Sequence, residues 1–209
     1  MTQVLLAIDT SSGTAAAILV DGVVVSEVYE PDTMQHAEQI GLQIQKVLDG
    51  ANKKASEVTA VAVGLGPGPF TGLRVGIAAA KMFAAGVGAA IFGVGSLDAI
   101  AFGKDLTSPT LVLTDARRSE VFFALYQGKT RAGVPKVLLG PGVKKQANLE
   151  DELQLSGQSY EIHTGSISAA ALGLLALAQL TEGTANTSII ANYLRAPDAI
   201  PAKGKKVSG

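Results

Sequence analysis

The chain has no cysteine among its 209 residues and only two histidines, His36 and His163. The absence of cysteine excludes disulfide bonds, thiolate catalysis and cysteine-rich metal sites, and it is consistent with a reducing cytosol. Neither histidine lies in a His-x-x-x-His or His-Glu-x-x-His motif, and no Gly-x-Ser-x-Gly nucleophile elbow is present. We therefore predict no metal site and no acyl-transfer chemistry.

The chain also lacks an excess of charge of either sign, since its formal net charge is -1 at pH 7. Such a small charge gives no general attraction to nucleic acid or membranes, so contact with a polyanion would have to be local or made by a partner. Asp9 interrupts the first apolar run, and the two longest uncharged stretches, 82–97 and 164–181, are too short or too polar to span a bilayer. We expect a cytoplasmic protein with no secretory signal and no membrane contact.

The first half of the chain predicts three antiparallel strands, followed by alternating helices and strands. Asp21-Gly22 is a hairpin signal between two apolar runs, and apolar residues from Ala37 to Leu48 recur at helical spacing. Thr71 is a suitable N-cap for a second helix. The predicted strands are 4–9, 14–20, 23–29, 58–64 and 91–94, and the predicted helices are 37–50 and 71–86.

The second half repeats the beginning of the first. Asp9 and Gly22 bracket a strand, a turn and a strand, and Asp115 and Gly128 bracket another set at the same separation, which indicates duplication of one hairpin. We predict an α/β fold with two sheet-and-helix halves, the second of them reduced. The predicted parts are an N-terminal subdomain at 1–104, a C-terminal subdomain at 105–201 with a helix at 168–180, and a disordered tail at 202–209.

Two aspartates at the ends of matching strands resemble the actin, Hsp70 and sugar-kinase (ASKHA) architecture, in which paired hairpins clamp nucleotide phosphates between two domains. In the first turn, small residues and hydroxyls between Asp9 and Thr14 would let the backbone approach a phosphate. In the second turn, Arg117 and Arg118 stand where glycines would allow that approach, so the clamp is incomplete. Turn formation at strand ends is the simpler interpretation of both aspartates. The candidate contacts to nucleotide or tRNA are Asp9, Ser11, Arg117 and Arg118.

A glycine-rich loop at 64–69 precedes the second predicted helix, without the Gly-Lys-Ser/Thr that a phosphate-binding loop needs. The helix is apolar over more than half of its circumference, with Arg74 and Lys81 marking a polar edge. A helix of this kind must be covered on two sides. It is either internal, or it packs on its own sheet and receives a neighbouring helix on the other side. In both cases the loop is a stiff connection that aims the helix.

Five motifs, in order across nearly the whole chain, resemble those of the TsaB (YeaZ) family. They are Ala7-Ile-Asp-Thr-Ser11, His36-Ala-Glu38, Gly66-Pro-Gly-Pro-Phe-Thr-Gly-Leu-Arg-Val-Gly76, Asp115-Ala-Arg-Arg118 and Tyr193-Leu-Arg195. The chain departs from the family pattern with Pro69, where Ser is common, and with Ala191, where Pro often precedes Tyr-x-Arg. The resemblance implies a subunit of the bacterial machinery that installs threonylcarbamoyl on the adenosine beside the anticodon of tRNAs reading codons that start with A.

The resemblance further implies a protein that is similar in fold to its catalytic partner TsaD but is not itself the enzyme. TsaD carries a metal-binding His-Met-Glu-Gly-His segment, which this sequence lacks. The implied partners are TsaD directly, TsaE within the complex, a second copy of the chain in isolation, and tRNA through the complex. No cofactor is expected on this chain alone, and the seam of the complex is the candidate site for ATP or ADP. The resemblance places the contact with TsaD on the first and second helices, at His36, Ile40, Gln43, Ile44, Val47, Arg74, Val75, Gly76, Ala79, Lys81, Met82 and Phe83.

Two rival functions have to be weighed against the subunit role. The family's older description as glycoproteases suggests a metallopeptidase, and the fold suggests a phosphotransferase. The peptidase requires a histidine metal site and the phosphotransferase requires an intact phosphate clamp. The sequence shows neither, which favours a non-catalytic subunit.

Overall fold

The computed structural model describes residues 2–32 and 36–195, and these residues form two sheets with helices against them. The strands are β1 Val4–Asp9, β2 Thr14–Val20, β3 Val23–Glu30, β4 Ala60–Gly64, β5 Ala90–Val94, β6 Thr110–Asp115, β7 Glu120–Lys129, β8 Pro135–Lys145 and β9 Glu161–Thr164. The helices are α1 His36–Gly50, α2 Phe70–Val87, α3 Ser96–Phe102, α4 Leu149–Glu152 and α5 Ala169–Glu182.

The second sheet repeats the first with one strand fewer. The first sheet has the order β3-β2-β1-β4-β5, and the second has the order β8-β7-β6-β9. In each, the first three strands along the chain are antiparallel neighbours, and the next strand lies parallel to the first of them. This confirms the predicted α/β architecture with a reduced second half.

Strand β1 is buried on both faces because the first sheet is covered on both sides. Leu6 and Ile8 belong to the apolar cluster beneath α1 and α2, whereas the alternate residues Leu5 and Ala7 belong to the cluster shared with α3 and α5. The period of two in a strand sends neighbouring side chains to opposite faces. The core between the two sheets is therefore built from residues of both halves.

Helix α5 follows the second sheet along the chain but packs against the first. Ser168 caps it by accepting a hydrogen bond from the Ala171 amide. A Cβ at Gly173 would lie 2.6 Å from Leu19 and 3.2 Å from both Ala7 and Leu5, so glycine allows the close approach of the helix to β1 and β2. The two predicted subdomains thus share this helix, and their boundary near residue 104 stays a prediction.

Several details differ from the sequence-based expectations. The Thr71 N-cap is wrong, because α2 begins at Phe70 after Pro69, and no side chain caps it. Strand β8 was not predicted, because Gly140, Pro141 and Gly142 interrupt its apolar pattern. Helix α3 was not predicted either. The predicted disordered tail at 202–209 lies outside the described residues.

Helix α2 is long and apolar enough, by length and composition, to cross a membrane. Six of its residues are nevertheless buried within the chain, including Leu73 and Ile77. It packs against α1 and the first sheet on that side, which is the arrangement of a helix belonging to the fold.

Candidate functional site

A cavity of about 240 Å³ lies between the turn after β1 and the turn after β6. It is lined by Ser11, Ser12, Tyr29, Pro69, Thr114, Asp115, Arg117, Gly165 and Ser166. The structure therefore brings the two predicted hairpin turns to opposite sides of one cleft. Of the four candidate contact residues, Ser11 and Arg117 line this cavity, whereas Asp9 and Arg118 do not.

The Asp9 carboxylate is only 2% exposed and is bonded entirely within the chain. Its Oδ1 accepts hydrogen bonds from the Ser11 amide at 2.7 Å and the Ser11 hydroxyl at 2.6 Å, and its Oδ2 accepts one from the Ser96 hydroxyl at 2.6 Å. Burial raises the pKa of Asp9, although these hydrogen bonds act in the opposite direction. The carboxylate joins the end of β1 to the first turn of α3.

The glycine-rich loop packs directly on the turn after β1. A Cβ at Gly68 would lie 2.7 Å from the Ser11 Cβ, so the two segments meet too closely for anything larger than glycine. The Gly66 amide donates to the Ser96 hydroxyl at 3.1 Å, and the Gly66 carbonyl accepts from the Ser96 amide at 2.9 Å. The turn after β1 thus packs directly against the loop at Gly68. This packing supports the interpretation of the loop as a connection that aims α2.

These contacts test whether the chain fits the metal-bound nucleotide that the ASKHA architecture implies. Such a ligand needs a carboxylate oxygen open to the cleft and a backbone that can approach the phosphates closely. Asp9 has no open oxygen, and the second turn carries side chains rather than glycines at 117–119. Within residues 2–32 and 36–195, no group of three or more acidic or histidine side chains could hold a metal ion. The residues do not fit a metal-bound nucleotide at Asp9.

The first turn also fixes the start of α2. Thr10 is buried, and its hydroxyl donates to the Gly72 carbonyl at 2.7 Å. A Cβ at Gly76 would lie 2.1 Å from the same hydroxyl oxygen, so glycine is required where the helix crosses the turn. Gly76 was predicted to lie at a partner contact, but it faces the interior of this chain.

His36 lies at the start of α1 and faces the first hairpin. Its Nδ1 is 2.9 Å from the Thr14 hydroxyl oxygen, and the residue is 5% exposed. Burial lowers the pKa of His36, while the Asp32 and Asp9 carboxyls act in the opposite direction. The imidazole is therefore part of the support that joins α1 to β2.

The side chains predicted on α1 to contact a partner are buried inside the chain. His36, Ile40, Gln43, Ile44 and Val47 all face the sheet or α2, and they offer no surface to another molecule. These five side chains pack within the chain itself, and the contact predicted for them stays a prediction. The exposed side of α1 carries Glu38, Gly41, Leu42, Gln45 and Lys46 instead.

The outward side of α2 does present an apolar surface, which we call the α2 face. Met82 is 74% exposed, and Val75, Ala79 and Phe83 are half-buried beside it. The other exposed residues on this side are Arg74, Ala78, Lys81, Ala85 and Gly86. Of the predicted α2 contacts, all except Gly76 therefore have surface available.

A stacked cluster joins the start of α2 to the C-terminal segment. The Arg74 guanidinium lies 3.8 Å from the centre of the Phe70 ring, and the Phe70 and Tyr193 ring centres are 4.9 Å apart. Arg74 Nε also donates to the Tyr193 hydroxyl at 3.3 Å. Two residues further on, the Arg195 guanidinium donates to the Ala116 carbonyl at 2.7 Å. The Tyr193-Leu-Arg195 motif thus connects the α2 face to the second turn, and its spacing in the sequence gave no sign of these contacts.

Sequence comparison places the chain among known proteins. The profile of the TsaD family, described as tRNA N6-adenosine threonylcarbamoyltransferase, matches residues 24–180. An uncharacterized protein of Mycobacterium tuberculosis is 35% identical over 207 residues, covering 94% of this chain and 93% of that protein. The tRNA threonylcarbamoyladenosine biosynthesis protein TsaB of Escherichia coli is 31% identical over 170 residues, covering 77% of this chain and 71% of that protein.

Comparison with solved structures identifies the same fold. YeaZ from Pseudomonas aeruginosa superposes with a TM-score of 0.73 at 24% identity, covering 92% of this chain and all of the other. A second structure, described as an uncharacterized protein with similarity to peptidase YEAZ from the same organism, superposes with a TM-score of 0.76. The profile match over most of the chain and the identity to TsaB agree with the five motifs. The chain belongs to the TsaB (YeaZ) branch of the TsaD family.

Proposed function

We propose that this chain is a non-catalytic subunit of the bacterial machinery that makes threonylcarbamoyladenosine in tRNA, and that it acts by binding the catalytic subunit TsaD. Relatives named as tRNA threonylcarbamoyladenosine biosynthesis proteins support a role in this process. The observation that carries the subunit role is the α2 face, where Met82 is 74% exposed at the centre of an apolar helix side.

The α2 face has the properties of a helix–helix contact. Ala78, Ala85 and Gly86 are small and exposed on either side of Met82, so a neighbouring helix can approach closely. The adjacent α1 adds Leu42, which is 57% exposed. Exposed apolar surface on two packed helices is typical of a protein–protein contact. The polar Arg74 and Lys81 lie at the rim of this surface.

The sealing of Asp9 supports a non-catalytic role. A phosphotransferase needs a carboxylate that reaches its metal or substrate, and a metallopeptidase needs a cluster of metal ligands. Asp9 is occupied by Ser11 and Ser96, and the described part of the chain contains no metal-binding cluster. A likeness to a structure described as peptidase-like therefore rests on the fold and not on a peptidase site.

The subunit role includes further partners. We propose that TsaE joins the complex in the bacterial cytoplasm, that the α2 face pairs two copies of the chain when TsaD is absent, and that any ATP or ADP lies at the seam between subunits. The burial of Asp9 supports a seam rather than this chain alone, because the isolated chain offers no open Asp9 carboxylate to a metal-bound nucleotide.

The experiment is a charge placed at the centre of the α2 face. Met82→Glu should weaken association with TsaD by about two to three powers of ten, because an unpaired carboxylate buried in an apolar contact costs roughly 3 to 5 kcal/mol. Co-purification with TsaD and the threonylcarbamoyladenosine content of tRNA measure the effect.

Val23→Glu is the matched control, since Val23 is 65% exposed on the edge strand β3, away from the α2 face. This variant should retain TsaD binding, and both variants should keep the melting temperature of the parent chain. Unchanged binding by Met82→Glu would contradict the proposal, and so would equal loss in both variants.

A further inference from the structure

The Tyr193-Leu-Arg195 motif lies in a C-terminal segment whose backbone is held on both sides of Tyr193. Before it, the Asn192 amide donates to the Leu65 carbonyl at 2.7 Å, in the loop that leads to α2. After it, the Arg195 guanidinium donates to the Ala116 carbonyl at 2.7 Å. The Tyr193 side chain is therefore presented to the start of α2 from a fixed backbone.

Tyr193 and Phe70 together hold the side chain of Arg74 in place. The Phe70 ring covers one face of the guanidinium at 3.8 Å, and the Arg74 Nε donates to the Tyr193 hydroxyl at 3.3 Å. The Nη1 and Nη2 nitrogens at the tip of the guanidinium are left as donors, on a residue that is exposed. Because this side chain is already ordered, a ligand that binds it has less conformational entropy to overcome.

Arg74 has no acidic partner in the part of the chain that the structure describes. Neither Glu38 at the start of the neighbouring α1 nor any other carboxylate within residues 2–32 and 36–195 forms an ion pair with it. Helix α2 itself carries no acid, and its second charged residue is Lys81. A guanidinium tip with two parallel N–H donors matches the two oxygens of a carboxylate. The acid that would complete Arg74 therefore has to come from another molecule.

The position of Arg74 joins it to the α2 face. Arg74, Ala78 and Met82 follow one another at four-residue intervals, which places them on one side of the helix, and all three are exposed. Arg74 lies about 12 Å along the helix axis from Met82. A helix that packs lengthwise on the α2 face therefore reaches Arg74. Arginine and tyrosine are also among the residues enriched in protein–protein interfaces.

We infer that Arg74, positioned by Tyr193, binds a carboxylate of TsaD through two parallel hydrogen bonds. The inference rests on the proposed function, which supplies TsaD as the partner. It assigns a role to the Tyr193-Leu-Arg195 motif, in which Tyr193 is a positioning residue. It also adds selectivity to the apolar α2 face, because a partner without an acid at this point would leave the guanidinium covered and unpaired.

The test measures the dissociation constant of the full chain with TsaD across a salt series from about 50 to 500 mM. Arg74→Gln should weaken binding about tenfold at low salt and should flatten the dependence on salt, because salt screens an ion pair. Arg74→Lys keeps the charge without the two-donor tip, so it should also bind several-fold more weakly but retain the salt dependence. Arg131→Gln is the matched control, since Arg131 is an exposed arginine in the turn between β7 and β8, and it should change neither quantity.

Tyr193→Phe tests the positioning role, because it keeps a ring beside Phe70 and removes only the hydroxyl. Alone, it should weaken TsaD binding about two- to tenfold. Combined with Arg74→Gln, it should cause no further loss, since the two residues act through one contact. Additive losses in the double variant would overturn the positioning role of Tyr193.

Unchanged affinity and salt dependence in Arg74→Gln would overturn the inference, and so would an equal loss in Arg131→Gln, which would indicate a general charge effect. If Met82→Glu weakens binding while Arg74→Gln does not, the proposed function stands and only this inference fails. A parent chain that does not bind TsaD would overturn both. All variants should keep the melting temperature of the parent chain. Should Arg74→Gln fail to fold, Arg74→Lys decides by itself, because full parent affinity in that variant would contradict the paired hydrogen bonds.

Discussion

The turn after β1 and the turn after β6 occupy equivalent places in the two sheets. Each contains the same kind of hydrogen bond, from a backbone amide to the carboxylate of the aspartate two residues earlier. In the first, the Ser11 amide donates to Asp9 Oδ1 at 2.7 Å, and in the second, the Arg117 amide donates to Asp115 Oδ1 at 2.8 Å. Everything around that bond differs. Asp9 is buried and also accepts from Ser96, whereas Asp115 is exposed at the rim of the cleft.

The difference follows from the elements packed on each turn. Helices α1, α2 and α3 all reach the first turn, through His36, Gly72 and Ser96, so its polar groups are enclosed and paired. The second turn meets the end of β8 and the C-terminal segment, and its side chains stay at the surface. The two equivalent hairpins thus differ in their surroundings, because the first is enclosed by α1, α2 and α3 while the second carries its arginines at the surface.

Removing the two aspartates should give the largest contrast. Asp9→Ala leaves the Ser11 and Ser96 hydroxyls without their buried acceptor, and it should lower the free energy of unfolding by about 3 kcal/mol. Asp115→Ala removes the equivalent bond at an exposed position and should cost less than about 1 kcal/mol. Urea unfolding of both variants measures the difference, and similar losses would show that burial does not separate the two turns.

A methyl group added to α2 should have opposite effects at two glycines. The Gly76→Ala Cβ would lie 2.1 Å from the Thr10 hydroxyl oxygen, and this overpacking at the first turn should cost about 1 to 3 kcal/mol. Gly86 has no atom within 4 Å of an added Cβ, so Gly86→Ala should stabilise the helix by about 0.5 to 1 kcal/mol.

Thermal unfolding of the two variants, compared with the parent chain, checks both signs. Stabilisation by Gly76→Ala would mean that α2 has room for a methyl group beside Thr10, which would contradict the close contact between α2 and the turn after β1. Co-purification of the Gly86→Ala variant with TsaD would additionally report how closely a neighbouring helix approaches the α2 face.

Local signals explain why the first three strands and helix α1 were predictable, and why the environment of the buried side of α1 was not. The Asp21-Gly22 hairpin and the apolar runs beside it lie within one short segment, and the structure follows them. On α1, Ile40, Ile44 and Val47 recur at helical spacing, which predicts a buried stripe but does not say what covers it. Family resemblance assigned that stripe to a partner, whereas the chain's own sheet covers it.

Non-local contacts were beyond the reach of the sequence. The bond between Ser96 and Asp9 joins residues 87 positions apart, and neither residue has a local pattern that pairs them. The Arg74–Tyr193 contact spans 119 positions in the same way. Strand β8 was missed for a local reason, because Gly140 and Pro141 are residues that normally end strands. The motif that contains Tyr193 is visible in the sequence, but its contact with α2 is visible only in the structure.

The smallest expected effect concerns the two histidines, one in each half. Burial lowers the pKa of His36, so the folded chain binds fewer protons at this residue than the unfolded chain does between the lowered pKa and the ordinary value of 6.5. The stabilising contribution of neutral His36 is therefore fully present above pH 6.5 and is lost as the pH falls through that window. The slope cannot exceed about 1.4 kcal/mol per pH unit for one proton.

His36→Gln should remove this slope from urea unfolding measured between about pH 5 and 7.5. His163 lies half-buried on β9, 3.4 Å from Glu161, and His163→Gln is the control that should leave the slope in place. Carboxyl groups such as Asp9 titrate in both variants, so the difference between the two curves belongs to His36. An unchanged slope in His36→Gln, or its loss in His163→Gln, would show that this pH dependence does not come from His36.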